Sequence, residues 1–484
     1  MRGQAASGGG AQAAGGAVRR VDEGVRGACG ARAEEVTRNA GAPPVEEAAW
    51  DAVEAAPRAS RPYGVLGRVL GHSYTPVIYR ELAGMDYRRF EVEPEDIESF
   101  LAGDTWEGLN VTIPYKRAVL PHLSELSETA RRMGNVNTIT RLPGRGLRGD
   151  NTDYAGFAAL VDELGVEVAG KRALVLGHGG AGSTCALVLQ DLGARVSFCG
   201  RARRDDNPEA LVYEDLPARG GDFDLLVNAT PVGMFPACPA APVDLAHLPN
   251  LAGVLDIVYN PARTGLVMDA ERRGIPCVGG LTMLVAQAAA AVGVYTGSTP
   301  AGEEVRALTR RLFATEQNIA LIGMPGAGKT HVGRELARLL GREHVDIDEE
   351  IEREVGMGCA ALIESRGERA FREAETRVLA RVASDSNQVI SCGGGVVERE
   401  GNYGLLHQNS LIALIDRPLE ELSAAGRPIT ARDGIERLAA ARGPIYRSWA
   451  DIRVSSGRTA EDTAAALARL LPAMLRHPTV LPPS

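Results

Sequence analysis

The chain has 484 residues, of which 45% are hydrophobic and 24% are charged, and its formal net charge is −9. This length exceeds one ordinary hydrophobic core and predicts two or three domains. The acidic balance argues against nucleic-acid binding, which needs basic surface. The seven cysteines are scattered without a CxxC pair, and no apolar run is as long as a membrane span. We therefore expect a cytoplasmic protein without a disulfide framework, a zinc site or a membrane partner.

Residues 1–60 are rich in alanine and glycine and poor in large apolar side chains. Such a composition cannot bury enough apolar surface to form a core, so we predict a disordered extension. A transit peptide is an alternative, but acidic residues such as Asp22 and Glu34 recur, and transit peptides are poor in acids.

Four polar loops follow short strand-like runs between residues 61 and 153. They hold hydroxyls, amides, one lysine and one acid, within residues 71–76, 108–116, 134–138 and 149–153. Such groups suit a small polyhydroxylated acid as ligand. Each loop taken alone could also be ordinary turn chemistry, because Asn, Asp, Ser and Gly favour turns for local reasons.

A glycine loop lies between a predicted strand at residues 172–176 and a predicted helix at residues 183–192. Its glycines meet the pattern G-x-G-x-x-G. In this strand-to-helix context, the pattern predicts a dinucleotide site with the pyrophosphate at the helix N-terminus. The predicted cofactor-binding residues of the loop are Gly177, Gly179, Gly180, Ala181 and Gly182.

The next predicted strand, residues 195–199, ends in Gly200-Arg201-Ala202-Arg203. An enzyme that uses NAD would place an acid here for the ribose hydroxyls, whereas arginine suits the 2′-phosphate of NADP. We therefore expect Arg201 and Arg203 to bind NADP(H). The alternative is a solvated basic turn.

Together these motifs resemble shikimate dehydrogenase, over residues 61–314. The resemblance rests on His72-Ser73-x-Thr75-Pro76, Asn110-Val111-Thr112-Ile113-Pro114-Tyr115-Lys116, Asn137-Thr138, Gly149-Asp150-Asn151-Thr152-Asp153 and Met283-Leu284-Val285-Ala286-Gln287-Ala288. It implies an α/β fold with a discontinuous substrate domain, residues 61–152 and 280–314. The same resemblance implies a Rossmann NADP domain at residues 153–279.

By this resemblance the chain would reduce 3-dehydroshikimate with NADPH, and Lys116 and Asp150 would form the catalytic pair beside the reacting oxygen. A positioned Lys–Asp pair can polarise a carbonyl and manage the proton. Thr75 replaces the family's second serine, so the choice between shikimate and quinate stays open. In the dinucleotide motif, His178 and Gly200 stand where alanine and asparagine are usual. The residues implied to bind the substrate are Ser73, Thr75, Thr112, Lys116, Asn137, Asp150, Tyr259 and Gln287.

A predicted helix at residues 301–313 closes this half of the chain. Only Thr315-Glu316-Gln317 then precede the next strand, so we expect the two halves to abut.

The second half begins with a strand at residues 319–322 and a glycine loop at residues 323–330 that meets G-x-x-x-x-G-K-T in full. Between a strand and a helix, this pattern predicts a nucleoside triphosphate site. No NKxD motif is present, which disfavours guanine and leaves ATP. The predicted contacts are Gly326, Ala327 and Gly328 to the phosphates, Lys329 to the terminal phosphates and Thr330 to Mg²⁺.

Acids, arginines and glycines then follow in an order that resembles shikimate kinase over residues 318–476, with a tail at residues 477–484. The order comprises a predicted strand at residues 344–348 that ends in two acids, a strand that enters a triple glycine, and two arginines next to prolines. The resemblance implies a P-loop domain with a parallel sheet. The residues implied to bind shikimate are Asp348, Arg372, Gly393, Gly394, Gly395 and Arg442.

By the same resemblance Lys329, Asp348 and Arg427 would be catalytic, with Arg427 as the lid arginine. Asp346 would assist Mg²⁺. Asp416 ends a strand with the letters of a Walker B motif and is an alternative Mg²⁺ ligand.

The two halves thus predict consecutive reactions, reduction of 3-dehydroshikimate with NADPH and phosphorylation of shikimate with MgATP. An alternative is an active kinase whose N-terminal half only binds a ligand as a regulatory module. The presence of both Lys116 and Asp150 argues against that alternative. The oligomeric state is left open by the sequence.

Overall fold

The computed structural model describes residues 61–70, 74–144, 146–203, 208–422, 429 and 433–474. The predicted site residues Ser73 and Arg427, the extension at residues 1–60 and the tail at residues 477–484 lie outside the described residues. The described chain forms two compact units. The first comprises the residues up to Thr152 together with Ala288–Pro300, and the second comprises Asp153–Gln287 together with the residues from Ala301 onward.

The first unit is built on a mixed sheet with the strand order β2-β1-β3-β5-β6-β4. Its strands are β1 Tyr63–Gly67, β2 Tyr87–Glu91, β3 Gly108–Val111, β4 Glu125–Leu126, β5 Thr138–Arg141 and β6 Leu147–Asp150. Its helices are α1 Thr75–Ala83, α2 Ile97–Ala102 and α3 Glu128–Met133. β1 is parallel to β2 and β3, whereas β5 is antiparallel to β3 and β6. Trp106, Leu109 and Tyr115 are almost fully buried in its core.

The nucleotide region of the second unit is an open parallel sheet with the strand order β12-β11-β10-β7-β8-β9. Its strands are β7 Arg172–Leu176, β8 Arg195–Gly200, β9 Leu211–Val212, β10 Leu225–Asn228, β11 Gly253–Asp256 and β12 Cys277–Val278. Its helices are α4 Asp153–Leu164, α5 Gly180–Asp191, α6 Leu216–Arg219, α7 Gly265–Arg272 and the start of α8 Leu281–Thr296, whose residues from Ala288 onward belong to the first unit. The strand order reverses beside β7, and ligands of such sheets bind at the carboxyl ends of the strands at this point.

The C-terminal region of the second unit is a five-stranded parallel sheet with the order β14-β15-β13-β16-β17. Its strands are β13 Asn318–Ile322, β14 Glu343–Asp346, β15 Gln388–Ser391, β16 Ser410–Asp416 and β17 Ile452–Ser455. The helices that precede and cover it are α9 Gly302–Glu316, α10 Lys329–Leu340, α11 Ile347–Val355, α12 Cys359–Val382, α13 Gly401–His407, α14 Ile435–Trp449 and α15 Ala460–Met474. Every residue of β13 is buried, because helices cover both faces of a parallel sheet.

The strand predicted at residues 344–348 is two residues too long, and Asp348 lies in a helix. β14 ends at Asp346, and the Asp346 carboxylate accepts hydrogen bonds from the backbone N–H groups of Asp348 and Glu349 at 2.9 and 3.4 Å. A carboxylate in this N-cap position starts a helix and favours its positive end. Asp348 is therefore held in the first turn of α11.

The helix α9 belongs to the second unit. The resemblance instead implies that residues 301–314, which include most of α9, belong to the substrate domain. Its C-terminal end is bonded to the C-terminal region. Arg342 donates to the carbonyl oxygens of Ala314 and Gln317 at 2.9 and 2.5 Å, and the Asn387 N–H donates to the Glu316 carbonyl oxygen at 3.0 Å.

A polar junction joins the nucleotide region to the C-terminal region within the second unit. The backbone N–H of Arg263 donates to the Gln408 carbonyl oxygen at 2.9 Å, and the Arg263 side chain donates to Glu271 at 3.2 Å. His407 lies 3.9 Å from carboxylate oxygens of both Glu271 and Asp451. Burial, followed by the charge of Arg263, lowers the pKa of His407 to about 3, so its ring is neutral at physiological pH. The nucleotide region therefore abuts the C-terminal region, as predicted.

None of the helices in the described ranges combines the length and apolar composition needed to cross a membrane. The six cysteines within these ranges are free thiols.

We expect Arg263→Ala to lower the melting midpoint of the chain by a few degrees. The guanidinium is only 12% exposed and lies 5.8 Å from the centre of the Phe313 ring, and hydrogen bonds to charged groups contribute about 1.5–3 kcal/mol. The matched control is Arg306→Ala, because Arg306 is 59% exposed and, among the described residues, pairs with Glu303 on its own helix. Differential scanning calorimetry compares the two, and equal shifts would show that the junction adds no stability.

Candidate active sites

The phosphate loop lies between β13 and α10 and bends at glycines with positive φ. Gly326 and Gly328 have φ of 85° and 88°, in the left-handed region that only glycine adopts readily. The bends let successive backbone N–H groups face one concavity at the N-terminus of α10. Lys329 is buried, and its ammonium donates to the carbonyl oxygens of Gly323 and Met324 at 2.9 and 3.0 Å. The predicted phosphate-binding residues therefore form one loop.

Thr330 and Asp346 lie together at the base of this loop. The Thr330 hydroxyl donates to an Asp346 carboxylate oxygen at 2.7 Å. Asp416, the alternative magnesium ligand, is an exposed residue at the end of β16. No group of three or more His, Cys, Asp or Glu side chains suited to a metal occurs among the described residues.

A cavity of about 560 Å³ brings the predicted kinase residues together. Its lining includes the phosphate loop, Asp346, Asp348, Arg372, the triple glycine Gly393–Gly395 and Arg442. These residues come from the carboxyl edge of the sheet and from α11, α12 and α14. The phosphate loop and the two arginines predicted to bind a carboxylate therefore line the same cavity.

The triple glycine lies close to neighbouring groups at all three of its positions. A Cβ on Gly394 would lie 2.6 Å from Cγ and 2.9 Å from the backbone nitrogen of Pro325 in the phosphate loop. A Cβ on Gly393 would lie 2.7 Å from a Glu375 carboxylate oxygen and 3.0 Å from an Asp348 carboxylate oxygen. A Cβ on Gly395 would lie 2.0 Å from the Arg372 guanidinium. Contacts below 3.0 Å force one of the two groups to move, so the glycines let the backbone pass directly beside the charged side chains.

The cavity residue Asp348 has an environment that favours its neutral form. Its side chain is exposed toward the cavity that it lines. Desolvation by the surrounding protein, followed by the charges of Asp346 and Glu375, raises the pKa of Asp348 to about 6. A carboxylate tuned toward neutral pH can accept a proton and release it again.

Two glutamates that were not predicted from sequence hold the arginines of the cavity. Arg372 donates to Glu375 at 2.8 Å and lies 2.5 Å from Glu398, and Arg442 donates to Glu398 at 3.0 and 2.5 Å. Glu375 follows Arg372 by three residues on one helix, a spacing that sequence could have revealed. Glu398 is distant in sequence from both arginines and carries no such signal.

The dinucleotide loop follows β7 and opens α5. Gly177 has φ of 102°, and a Cβ on Gly182 would lie 2.1 Å from the Gly177 carbonyl oxygen. The loop therefore turns so tightly that the first turn of α5 touches the end of β7. Gly179, Gly180 and Ala181 are exposed at this helix N-terminus, which is where a pyrophosphate is favoured.

The basic residues Arg201 and Arg203 lie just beyond β8 and are exposed. Arg203 pairs with Asp215 at 3.2 Å.

The two departures noted in the dinucleotide motif, His178 and Gly200, are neighbours in space. A Cβ on Gly200 would lie 2.9 Å from the His178 ring, and this ring stacks on Phe198 with 5.3 Å between centroids. The larger residue at 178 therefore fills the space that a side chain at 200 would need.

The predicted catalytic pair of the first unit lies on neighbouring backbone segments. The Val136 N–H donates to the Lys116 carbonyl oxygen at 2.8 Å, and the Asn137 N–H donates to the Asp150 carbonyl oxygen at 3.0 Å. The Asp150 carboxylate accepts from the Ser127 hydroxyl at 2.8 Å and from the Asn151 N–H at 2.7 Å. These bonds fix the direction of Asp150 before any ligand binds.

The Asn137 side chain is part of a buried network. Its carbonyl oxygen accepts from the Thr152 N–H at 2.8 Å, and its amide donates to the Thr152 hydroxyl at 3.1 Å. Thr75 begins α1 and Thr112 follows β3, both partly exposed within the first unit. Tyr259 and Gln287 lie in the second unit.

Two protein families match this chain in the order predicted. The shikimate dehydrogenase substrate binding domain matches residues 65–139, and shikimate kinase matches residues 325–471. The shikimate dehydrogenase (NADP(+)) of Geobacillus sp. (strain WCH70) is 36% identical over 259 residues, which cover 93% of that protein and 49% of this chain. The chain belongs to the shikimate dehydrogenase family. Its C-terminal region is a shikimate kinase domain.

Further shikimate dehydrogenases are similar to the N-terminal half. That of Geobacter metallireducens is 38% identical over 267 residues, which cover 93% of that protein and 50% of this chain. The solved structure of a chorismate mutase/shikimate 5-dehydrogenase fusion protein from Clostridium acetobutylicum is 33% identical, covers 53% of this chain and 97% of its own, and has a TM-score of 0.49. The predicted α/β fold class, with a dehydrogenase before a P-loop kinase domain, is confirmed by the sheets and the family matches.

Two alanine substitutions in the dinucleotide loop should separate packing from ligand approach. Gly182→Ala places a methyl group 2.1 Å from a carbonyl oxygen, so we expect a lower melting midpoint without ligand and weaker NADPH binding, since overpacking costs about 1–3 kcal/mol. Gly179→Ala meets nothing within 4 Å. Gly179→Ala should therefore leave the ligand-free melting midpoint unchanged and weaken only the binding of NADPH.

Calorimetric melting and NADPH fluorescence titration measure these two quantities. Identical behaviour of the two variants would contradict the tight loop described for this family member.

Proposed function

We propose that this shikimate dehydrogenase family member is bifunctional. It reduces 3-dehydroshikimate to shikimate with NADPH in its N-terminal half, and it phosphorylates shikimate to shikimate 3-phosphate with ATP and Mg²⁺ in its C-terminal half. The observation that carries the proposal is the single cavity that a phosphate loop, an acid with raised pKa and two arginines share. This set suits a substrate that has both a hydroxyl to be phosphorylated and a carboxylate to be held.

In the kinase half, each group of the cavity has a role that follows from its chemistry. The loop N–H groups and Lys329 stabilise the negative charge on the phosphates. Thr330 and Asp346 would hold Mg²⁺, which supplies further charge neutralisation at the phosphates. Arg372 and Arg442 bind the substrate carboxylate. Asp348 accepts the proton from the 3-hydroxyl as its oxygen attacks the γ-phosphate.

In the dehydrogenase half, the reaction adds a hydride and a proton to a carbonyl group. NADPH supplies the hydride when bound, and the glycine loop with Arg201 and Arg203 would hold it. Lys116 donates a hydrogen bond and then a proton to the substrate oxygen, and Asp150 orients the neighbouring hydroxyl. The hydrogen bonds of Ser127 and Asn151 to Asp150 support this role, because they leave the Asp150 carboxylate little freedom to rotate.

The scarcity of lysine in this chain supports both assignments. The 53 basic residues include three lysines, Lys116, Lys171 and Lys329. Two of these three stand at the proposed chemical centres. Arginine cannot replace them there, because a guanidinium does not release a proton at neutral pH and is too broad to act as a compact point charge.

Three lysine variants test the bifunctional proposal on one protein. We expect Lys116→Ala to lower the NADPH-dependent reduction of 3-dehydroshikimate by about 10²–10⁴-fold, the usual contribution of an acid–base group, and to spare ATP-dependent phosphorylation of added shikimate. Lys329→Ala should have the opposite pattern. Lys171→Ala is the matched control and should preserve both rates.

NADPH absorbance and coupled ADP release measure the two rates separately. An N-terminal half that only binds ligands would show no reduction in the wild type, and that result would refute the bifunctional assignment.

The kinase half should lose activity in mild acid because Asp348 must be ionised to accept the hydroxyl proton. With a pKa of about 6, half of the free enzyme is protonated at that pH. We expect kcat/KM for shikimate to be level above about pH 7 and to fall tenfold per pH unit well below pH 6.

The measurement is the pH profile of kcat/KM at saturating ATP. Asp348→Asn should reduce the level of the whole profile and remove this inflection. A wild-type profile that stays level down to pH 5 would contradict the role of Asp348.

A further inference from the structure

Glu398 is placed by a short turn directly after the triple glycine. The turn Val396–Glu398 is a 3₁₀ helix, and the Glu398 N–H donates to the Gly395 carbonyl oxygen at 2.9 Å. Val396 and Val397 are buried, so the backbone that leads into Glu398 is anchored by the core. Its carboxylate therefore occupies a defined position beside the substrate cavity.

The Glu398 carboxylate bridges two arginines that come from different helices. One oxygen accepts from Nε and Nη2 of Arg442 at 3.0 and 2.5 Å, and the other lies 2.5 Å from Nη2 of Arg372. Both guanidinium groups are buried, with side-chain exposures of 9% and 3% for Arg372 and Arg442. Two buried like charges repel each other strongly, and one shared carboxylate offsets this repulsion.

The other neighbours of the arginines cannot replace this bridge. Glu375 contacts Arg372 alone, at 2.8 Å, and Glu368 lies 3.6 Å from Arg372. The third nitrogen of Arg442, Nη1, donates to the Gly394 carbonyl oxygen at 3.1 Å. Within the described part of the chain, Glu398 is thus the carboxylate that touches both guanidinium groups.

The bridge leaves donors available for a ligand. A guanidinium has five N–H groups, and the contacts above use only part of them. Among the described residues, no group accepts a hydrogen bond from the Nε of Arg372, which is buried. Both arginines line the cavity, whereas Glu398 is not among its lining residues, so the bridge holds the arginines from outside the space that a ligand fills.

We propose that Glu398 is a positioning residue of the kinase domain, which holds Arg372 and Arg442 side by side so that together they bind one substrate carboxylate. The inference rests on the proposed phosphorylation of shikimate and adds a residue that determines carboxylate recognition. Glu398 itself makes no contact with the substrate. Its effect reaches the substrate through the spacing and the charge balance of the two guanidinium groups.

The test compares Glu398→Gln with wild type and with the control Glu368→Gln in the full chain. Glu398→Gln keeps the shape and removes the shared charge, so KM for shikimate should rise about tenfold or more while kcat and KM for ATP stay within about twofold. Glu368→Gln removes a charge near the same arginine without breaking the bridge and should change KM for shikimate less than about threefold. Glu398→Asp keeps the charge but is too short to reach both arginines, and it should resemble Glu398→Gln.

A second substrate separates positioning from a general structural effect. The methyl ester of shikimate has no charged carboxylate, so wild type and Glu398→Gln should differ less than about threefold in KM for the ester. An equal rise in KM for the acid and the ester would overturn the inference in favour of general damage to the cavity. An unchanged KM for shikimate would also overturn it, and a lower KM would show that Glu398 competes with the substrate.

The wild-type rate distinguishes this inference from the proposed function. If the wild type does not phosphorylate shikimate, the proposed function fails and the inference fails with it. If the wild type turns over and Glu398→Gln has the same KM, only the role of Glu398 is lost. The reductase rate of each variant, measured on the same sample, reports whether the rest of the chain is folded.

Discussion

Backbone segments that approach too closely for any side chain to fit between them determine the geometry of both nucleotide regions. In the dinucleotide loop, the start of α5 touches the end of β7 at Gly182. In the kinase domain, Gly394 passes the phosphate loop, where a Cβ would lie 2.9 Å from the backbone nitrogen of Pro325. Gly393 and Gly395 pass the side chains of Glu375, Asp348 and Arg372. Each approach sets a helix N-terminus or a charged side chain at the carboxyl edge of a parallel sheet, where phosphates and carboxylates bind. A methyl group at either place would displace the groups on which ligand binding depends.

Charge balance in the kinase cavity follows from this packing. Burial of two arginines is tolerated because Glu375 and Glu398 compensate them, while Asp348 is left beside other carboxylates and has a raised pKa. The same surroundings therefore have two different effects. They keep the two arginines charged and fixed in position for a carboxylate, and they let Asp348 exchange a proton near neutral pH. The function proposed for the domain needs both.

The junction between the nucleotide region and the kinase domain has a different electrostatic character. His407 is neutral there because burial and Arg263 lower its pKa to about 3. Between about pH 3 and 6.5, an unfolded chain binds a proton at this histidine and the folded chain does not. This histidine therefore costs the folded chain no stability above about pH 6.5, and below that pH it destabilises the folded chain increasingly as the pH falls toward 3.

Local sequence patterns determined the elements whose chemistry is contained in a short run of residues. Glycine spacing and buried strand patterns predict the α/β class, the basic end of β8 and the strand–loop–helix runs at residues 172–192 and 319–340. Such signals are contained in short stretches of sequence. Only the tertiary structure decided that Asp348 lies in the first turn of a helix, that Gly200 makes room for His178 and that Glu398 joins Arg372 to Arg442. These contacts depend on strand order and helix packing, which bring together residues from separate segments of the chain, and no spacing rule along the sequence encodes such distances.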